Sequence, residues 1–262
     1  MSKVIAFANQ KGGAGKTSVT QHFGAILQEK GNKVLYIDLD VQGSLTMVFG
    51  AKTKSSDNIH IGSALLKSAC PFDCIQETKN GDIIGSSPKL STNENEIKDM
   101  VAGRELVLSD VIDAIKEGSE TPYDYILVDT PPSLGILSIN ALAASDEVIV
   151  VTKPSVLDIG GISALAQVIA PVRKIVNPDL KVAGVVLNEV KNSSNSASVA
   201  REIADAFAKE LDTKVFDAEI RGAEDVKYAQ AKGQNVFDFK SRSLIVQDYR
   251  DLVNEYFASN SE

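Results

Sequence analysis

Short apolar runs alternate with amphipathic segments along most of the chain. Six of these runs are predicted to be β-strands, and several are continuously apolar rather than alternating with polar residues. Strands of that kind are buried on both faces, as in a parallel sheet that is covered by helices. The predicted strands are Lys3–Ala8, Lys33–Asp38, Asp82–Gly85, Tyr125–Asp129, Glu147–Val151 and Lys181–Leu187.

Apolar residues at helical spacing fill most of the intervals between these strands. Because strands and helices alternate, we expect an α/β fold with a doubly wound, mostly parallel sheet flanked by helices. The 262 residues are expected to form a single domain, residues 1–262. The polar residues 51–60 and 189–196 are predicted to be loops. The predicted helices are Lys16–Lys30, Asn93–Glu117, Leu137–Ala144, Gly160–Val176 and Ala197–Leu211.

The C-terminal segment, about residues 243–258, is predicted to be a helix docked on the core. Its polar face is expected to carry Asp248, Asp251 and Glu255, with only Arg250 basic. A helix that binds anionic lipid would carry Lys and Arg on that face. We therefore expect no membrane association.

Composition narrows the class of protein. The net charge of −8 argues against a permanently basic nucleic-acid surface, although it leaves room for a local basic patch. No apolar run approaches the ~18 residues of a membrane span, and no signal peptide is expected before the first strand. The two cysteines, Cys70 and Cys74, have no nearby histidine and form a poor metal site. A cytoplasmic protein without disulfides is expected.

A glycine-rich run between the first strand and the first helix indicates the chemistry. Strand, glycine-rich loop and helix in that order bind a polyphosphate, because glycines let backbone N–H groups point at phosphate oxygens. Lys16 is expected to contact the β- and γ-phosphates, and Thr17 to bind Mg²⁺. Gln10 replaces the first glycine of the usual pattern, and Lys11 adds a second lysine. The residues predicted to bind the nucleotide in this loop are Gly12, Gly13, Ala14, Gly15, Lys16, Thr17 and Ser18.

Carboxylates follow two of the predicted strands. Asp38 and Asp40 end the second strand, and Asp129 ends the strand Tyr125–Asp129. Ligands of open α/β sheets bind at the carboxyl ends of the strands, so these groups are candidates for ordering Mg²⁺ and the attacking water. Asn188 ends a further strand. Its amide suits the N6 and N7 edge of adenine, and a structural turn asparagine is an equal alternative.

Three motifs together carry a family resemblance. Lys11–Thr17, Asp38–Gly43 and Val128–Pro132 resemble the ParA/Soj family of partition ATPases. These belong to the deviant Walker A group of P-loop NTPases, which also contains MinD and the nitrogenase iron protein. Val41 departs from the family's proline, and the chain resembles the short type without a helix-turn-helix extension.

The resemblance implies a mechanism and its residues. Lys11 would reach across a dimer interface to the partner's ATP, so Lys11, Lys16 and Asp40 are the expected catalytic residues. Asp38 and Asp129 would support the Mg²⁺ that Thr17 binds. The ATP-bound homodimer would bind DNA without sequence preference, and a ParB-like centromere-binding protein would stimulate the hydrolysis that releases it. A nucleoid-associated location follows.

The segment Arg221–Arg242 is the expected DNA-binding region. It holds five basic and three acidic residues, so 5 − 3 gives a local charge of +2. Arg221 and Lys227 are the candidate contacts, although the Ile-Pro-Arg pattern of relatives is missing near Arg221. The alternatives are a MinD-like membrane-associated ATPase, a cluster carrier like the iron protein and a metabolic ligase on the same fold.

Overall fold

Eight strands form one sheet in the described part of the chain. The computed structural model describes residues 2–52, 59–191 and 195–259, with the backbone alone for residues 156–160, 195–198 and 200. Most of the loop predicted at 51–60, and part of that at 189–196, lies outside the described residues. The strands are β1 Lys3–Ala8, β2 Val34–Asp38, β3 Ile75–Thr78, β4 Gly81–Ile84, β5 Tyr125–Asp129, β6 Glu147–Thr152, β7 Lys181–Val190 and β8 Ile220–Arg221.

Eleven α-helices are described, most of them between strands, and a 3-10 turn at Pro71–Cys74 precedes β3. The helices are α1 Lys16–Glu29, α2 Ser44–Phe49, α3 Ile61–Leu65, α4 Leu90–Lys98, α5 Val107–Gly118, α6 Ile136–Ala143, α7 Val156–Ile175, α8 Asn195–Glu210, α9 Glu224–Ala231, α10 Val236–Lys240 and α11 Leu244–Ser259.

The sheet brings the polyphosphate loop and the strand-ending carboxylates to one edge. Its strand order is β3-β4-β2-β5-β1-β6-β7-β8, and only the β3–β4 pair is antiparallel. In the parallel register Asp129 lies beside Phe7 of β1 on one side and beside Asp38 of β2 on the other. The central strands are apolar and buried on both faces, with separate clusters of apolar residues above and below the sheet. The predicted doubly wound α/β fold is confirmed.

One predicted helix is wrong. The segment Asn93–Glu117 is not continuous, because α4 ends at Lys98 and α5 begins at Val107. Gly103 lies between them at φ +74°, outside the helical region. The amide of Asn140 fixes the start of α5, accepting from the Leu108 N–H at 3.1 Å and donating to the Arg104 carbonyl at 2.7 Å. The pattern also missed the short elements β3, β8, α2, α3, α9 and α10.

Helix α11 packs its apolar side on α1 and the sheet. Tyr256 donates from its hydroxyl to the buried Glu147 at 2.6 Å, which ties the last turns of α11 to β6. The expectation that Asp248 lies on the solvent face is wrong, because its side chain is buried and paired with Arg221. The single-domain organisation stays a prediction. The buried apolar residues of α11 are Ile245, Val246, Tyr249, Leu252, Val253 and Tyr256.

In the described ranges, no helix combines the length and apolar character needed to cross a membrane.

Candidate nucleotide site

The loop between β1 and α1 leaves its backbone donors open to an anion. Helix α1 begins at Lys16 with Gly15 as its N-cap, and Gly15 lies in the left-handed region at φ 91° and ψ 23°. No side chain caps the helix, and its first turn holds no acidic residue. The N–H groups of that turn and the positive end of the helix dipole are therefore directed at the cleft. Gly12 and Gly13 are exposed at its rim.

The two lysines of the loop differ in environment. Lys16 is only 7% exposed, and its Nζ lies 3.5 Å from the Lys11 carbonyl oxygen. Burial lowers the pKa of Lys16, and the nearby carboxylates of Asp129 and Asp40 partly oppose that shift. Lys11 is exposed, with its backbone N–H donating to Asn9 Oδ1 at 3.1 Å. Lys16 therefore serves the cleft of its own chain, while Lys11 projects from the surface.

The hydroxyl of Thr17 and the carboxylate of Asp129 meet beside the loop. Thr17 Oγ1 donates to Asp129 Oδ2 at 2.6 Å, which leaves the lone pairs of the hydroxyl oxygen available to a cation. Asp129 is 1% exposed, and its Oδ1 has no hydrogen-bond partner among the described residues. Burial, with the Asp38 carboxylate as the next contribution, raises the pKa of Asp129 well above its usual range. A buried acceptor without a donor is costly unless a ligand or water supplies one.

This donor set fits Mg²⁺ brought in with a phosphate. Mg²⁺ is usually bound through one or two carboxylates, substrate phosphates and several waters. In the part of the chain that is described, no three His, Cys, Asp or Glu side chains are grouped closely enough to hold a metal alone. Thr17 would then bind the ion directly, and the free Oδ1 of Asp129 would accept from one of its waters. The unpartnered oxygen is the observation that supports this assignment.

Asp38 has a different environment from the other two carboxylates. It is fully buried, and its Oδ2 accepts from the backbone N–H of Thr46 at 2.8 Å and from the Thr46 hydroxyl at 2.7 Å. Its Oδ1 accepts from the Asp40 N–H at 3.0 Å. Burial raises the pKa of Asp38 to about 6 despite these bonds. Asp38 thus holds the Asp40 turn and α2 in place, so any support it gives the metal is indirect.

Asp40 faces the cleft. It is half-buried and lines a cavity of about 400 Å³, hereafter the phosphate cleft, together with Gly13, Lys16, Thr17 and Pro132. Its Oδ1 accepts from the N–H of Gln42 at 3.0 Å, which sets the turn after β2. The carboxylate is therefore open to the phosphate cleft, and its role in orienting the attacking water stays a prediction.

Asn188 supports the loop. Its Nδ2 donates to the Ala14 carbonyl at 2.9 Å, and Asn188 is buried. A Cβ added at Gly15 would lie 2.0 Å from that Nδ2. This bond shows the structural role of Asn188 and uses one of its two amide hydrogens, so the adenine contact stays a prediction.

Sequence reasoning missed three residues that position the site. Asn9 bridges β1 and β6, with its Nδ2 donating to the Val151 carbonyl at 2.7 Å. His22 accepts from the Val236 N–H at Nε2 (3.0 Å), so its proton is on Nδ1, which donates to the Ser18 carbonyl at 2.7 Å. Burial lowers the pKa of His22 to about 4, so it is neutral. Gln230 of α9 reaches Ser18 at 2.9 Å. Three of these four bonds join residues more than 140 positions apart in sequence, and only the bond from His22 to Ser18 is local to one helix.

A second cleft adjoins the phosphate cleft at Ser18 and Gln230. It is lined by Asn188 and Arg221 among others, and has a volume of about 420 Å³. The phosphate and second clefts together offer room for a phosphate chain and a base. Because the second cleft lies beside the first turn of α1, we expect the base there.

The two candidate DNA contacts, Arg221 and Lys227, form different kinds of ion pair. Arg221 forms a two-point ion pair with Asp248, with Nε and Nη2 at 2.6 and 2.7 Å from the two carboxylate oxygens. Lys227 pairs with Glu224 at 2.8 Å, and both of these side chains are about two-thirds exposed or more. An exposed pair of that kind contributes little energy, so Lys227 can exchange its partner readily. Arg221 has a structural role, and its DNA contact stays a prediction.

Comparison with known proteins identifies the family of this chain. A family profile described as "AAA domain" matches residues 2–182. The Bacillus subtilis sporulation initiation inhibitor protein Soj is 33% identical over 99% of this chain and 100% of its own length. The Caulobacter vibrioides chromosome partitioning protein ParA is 33% identical over 97% of this chain and 93% of its own. The chain belongs to the ParA/Soj family of partition ATPases. The expected ATPase activity and the use of ATP and Mg²⁺ are confirmed at the level of this family.

Solved structures agree with the ParA/Soj fold. Cobyrinic acid a,c-diamide synthase from Mycobacterium smegmatis, with a bound ATP analogue and magnesium, has a TM-score of 0.81 at 27% identity, covering 97% of this chain and 93% of that one. The septum site-determining protein MinD from Pyrococcus horikoshii, complexed with Mg-ADP, has a TM-score of 0.75 at 25% identity, covering 97% and 96%. The same fold therefore occurs in a diamide synthase, in a septum site-determining protein and in the ParA/Soj family, and the fold alone does not choose among their functions.

A second profile, described as "4Fe-4S iron sulfur cluster binding proteins, NifH/frxC family", matches residues 122–262. Both cysteines, Cys70 and Cys74, precede that region. The matched part of this ParA/Soj chain thus lacks the thiolates that hold an iron–sulfur cluster. The match reflects the shared nucleotide-binding fold.

Proposed function

We propose that this ParA/Soj chain is a DNA-segregation ATPase that works as an ATP-dependent switch. In the ATP-bound state two subunits would join face to face as a homodimer and bind DNA without sequence preference. Hydrolysis would release the DNA, and a small ParB-like centromere-binding protein would accelerate that step. The protein would act in the cytoplasm on the nucleoid, with no association with membranes.

The contrast between the two loop lysines carries the proposal. Lys16 is buried over its own cleft, whereas Lys11 is exposed although the two lysines are only five positions apart. The backbone of Lys11 is fixed by Asn9 and Lys16. A lysine held at the surface next to a nucleotide is placed to contact the phosphates of a facing subunit. Charge from a second chain at the phosphates stabilises the charge that develops during phosphoryl transfer.

The DNA-binding region is expected on α9 and the segment that follows it. Lys227, Lys232 and Arg242 are exposed there, and Lys227 has only a surface ion pair. A patch this small gives weak binding to a phosphate backbone. Two such patches on one dimer contact the same DNA, so the affinity for DNA rises with dimerisation. Because dimerisation requires ATP in this proposal, DNA binding depends on ATP.

A MinD-like membrane function is disfavoured by α11. Its apolar residues are buried in the core, and only Leu244 is a large exposed apolar residue of this helix among the described positions. Asp251 is exposed as well. An amphipathic membrane anchor needs an exposed apolar face beside a basic one.

DNA retention in defined nucleotide states tests the proposal. The protein is mixed with duplex DNA of unrelated sequence and with ATP, ADP or no nucleotide, and binding is measured at two salt concentrations. We expect the protein to bind DNA in the presence of ATP, and not with ADP or without nucleotide. Higher salt should weaken this binding, because contacts to DNA phosphates release counterions. Retention that is equal with ATP and ADP would remove the switch from the account.

Lys227→Glu locates the DNA surface in the same assay. It should weaken ATP-dependent binding about tenfold or more, since each dimer gains two repulsive charges at the patch. The matched control is Lys79→Glu. Lys79 is exposed in the β3–β4 turn at the opposite edge of the sheet, so this variant makes the same charge change elsewhere. Because Lys227 borders the second cleft, ATP affinity is titrated in the same variants. Equal losses of DNA binding in both variants, or a loss in Lys227→Glu that follows its ATP affinity, would place the DNA elsewhere.

A further inference from the structure

Three polar side chains link the first turns of α1 to α9 in series. Gln21 Nε2 donates to the Gln234 carbonyl oxygen at 3.3 Å. Gln230 Nε2 donates to Gln21 Oε1 at 3.3 Å and to Ser18 Oγ at 2.9 Å. Gln21 is buried, and Gln230 and Ser18 are half-buried at the junction of the phosphate and second clefts.

The Gln234 carbonyl, at the end of this series, fixes the direction of every hydrogen bond in it. A backbone carbonyl can only accept, so Gln21 must turn its amide nitrogen toward Gln234. Its carbonyl oxygen then faces Gln230, which must donate in turn. The nitrogen of Gln230 has a second hydrogen, which is directed at Ser18 Oγ. Ser18 therefore accepts, and its one hydroxyl proton is left for another acceptor.

The remaining proton of Ser18 has no acceptor among the residues that the structure describes. Ser18 lies in the first turn of α1, where backbone N–H groups already favour an anion. It also borders both clefts. An acceptor at that junction would be a phosphate oxygen close to the base of a bound nucleotide.

We propose that Gln230 is a positioning residue for nucleotide binding, which holds the Ser18 hydroxyl with its proton directed at the phosphate nearest the base. The series of hydrogen bonds through Gln21 to the Gln234 carbonyl holds the hydroxyl in this orientation before the nucleotide binds. It lowers the cost of binding, because the hydroxyl does not have to be turned or released from another acceptor. The proposal rests on nucleotide binding by this loop, and it is independent of dimerisation and of DNA.

A double-mutant cycle on ADP affinity tests the proposal. The variants are Gln230→Leu, Ser18→Ala and the two combined, and ADP is titrated because it binds without the dimer. We expect Ser18→Ala to weaken ADP binding about tenfold and Gln230→Leu about fivefold. In the Ser18→Ala background, Gln230→Leu should change the affinity by less than about twofold, since the hydroxyl it orients is gone.

Gln230→Glu sharpens the test. A carboxylate can only accept, so it would draw the Ser18 proton away from the phosphate, and its charge would also repel the phosphates. The loss should therefore exceed that of Gln230→Leu, and the part that depends on the Ser18 hydroxyl should vanish in the Ser18→Ala background. Gln247→Glu is the matched control, because Gln247 is exposed on α11 and lines neither cleft.

If Gln230→Leu lowers ADP affinity by the same factor with and without the Ser18 hydroxyl, Gln230 acts by packing alone and the proposal is wrong. Unchanged ADP affinity in Gln230→Leu would also overturn it, whereas a wild-type chain that binds no nucleotide would refute the proposed function itself.

Discussion

An Asp40→Ala variant is expected to bind ATP but to hydrolyse it at least about a hundredfold more slowly than the wild type. The carboxylate lies in the phosphate cleft beside Lys16 and Thr17, where it can orient the attacking water. Groups with that role contribute about 10² to 10⁴ in rate. ATP affinity should be kept or improved, because the loop donors are unchanged and one negative charge near the phosphates is lost. Phosphate release at saturating ATP, with a parallel nucleotide titration, measures both quantities.

Asp38→Ala separates this role from a structural one. Asp38 holds Thr46 and the Asp40 turn, so its loss should lower thermal stability as well as activity. Asp40→Ala should leave the melting temperature nearly unchanged, because Asp40 is half-exposed and accepts one bond from Gln42. Hydrolysis within threefold of the wild type in Asp40→Ala would show that the water is oriented by another group.

Gly15→Ala is expected to weaken ATP binding by about a hundredfold. Gly15 has φ 91°, which costs a residue with a side chain about 1–2 kcal/mol. The new Cβ would also lie 2.0 Å from Asn188 Nδ2 and would push that side chain off the Ala14 carbonyl. Both effects distort the N–H groups that face the phosphates. The measurement is a nucleotide titration, accompanied by a thermal melt.

Gly13→Ala provides the matched control within the same loop. Gly13 also has positive φ, at +76°, but an added Cβ would meet no atom within 4 Å. It should therefore show the backbone strain alone, a loss of about tenfold or less. Combining Gly15→Ala with Asn188→Ala should recover part of the affinity, because the clash is removed. Equal losses at Gly13 and Gly15 would mean that Asn188 does not set the loop.

Patterns local to the sequence predicted the parts of the site that depend on strand ends. The continuously apolar runs gave the parallel strands, and parallel strands end at one edge. Asp38 and Asp129 therefore had to lie near each other and near the loop after β1, as the register shows. The glycines and lysines of the loop carry their own conformational and chemical preferences, so the start of α1 was predictable as well.

Contacts between distant segments were outside the reach of the same patterns. Asn188 and Ala14 are 174 residues apart, and Gln230 and Ser18 are 212 apart. Asp248 matched the polar face of an amphipathic helix, and only the presence of Arg221 on β8 explains its burial. The short helices α9 and α10 hold too few turns for apolar periodicity to be distinct. These positions decide how the nucleotide site joins the C-terminal part of the chain.

The oligomeric state in the presence of ATP tests the central claim most directly. Asp40→Ala is used as the background so that ATP persists, and the mass in solution is measured with ATP and with ADP. We expect a dimer with ATP and a monomer with ADP. Adding Lys11→Ala should abolish the dimer while ATP still binds, whereas adding Gln10→Ala, at the neighbouring exposed position, should not. A Lys11→Ala variant that forms the ATP dimer as readily as its parent would contradict the account.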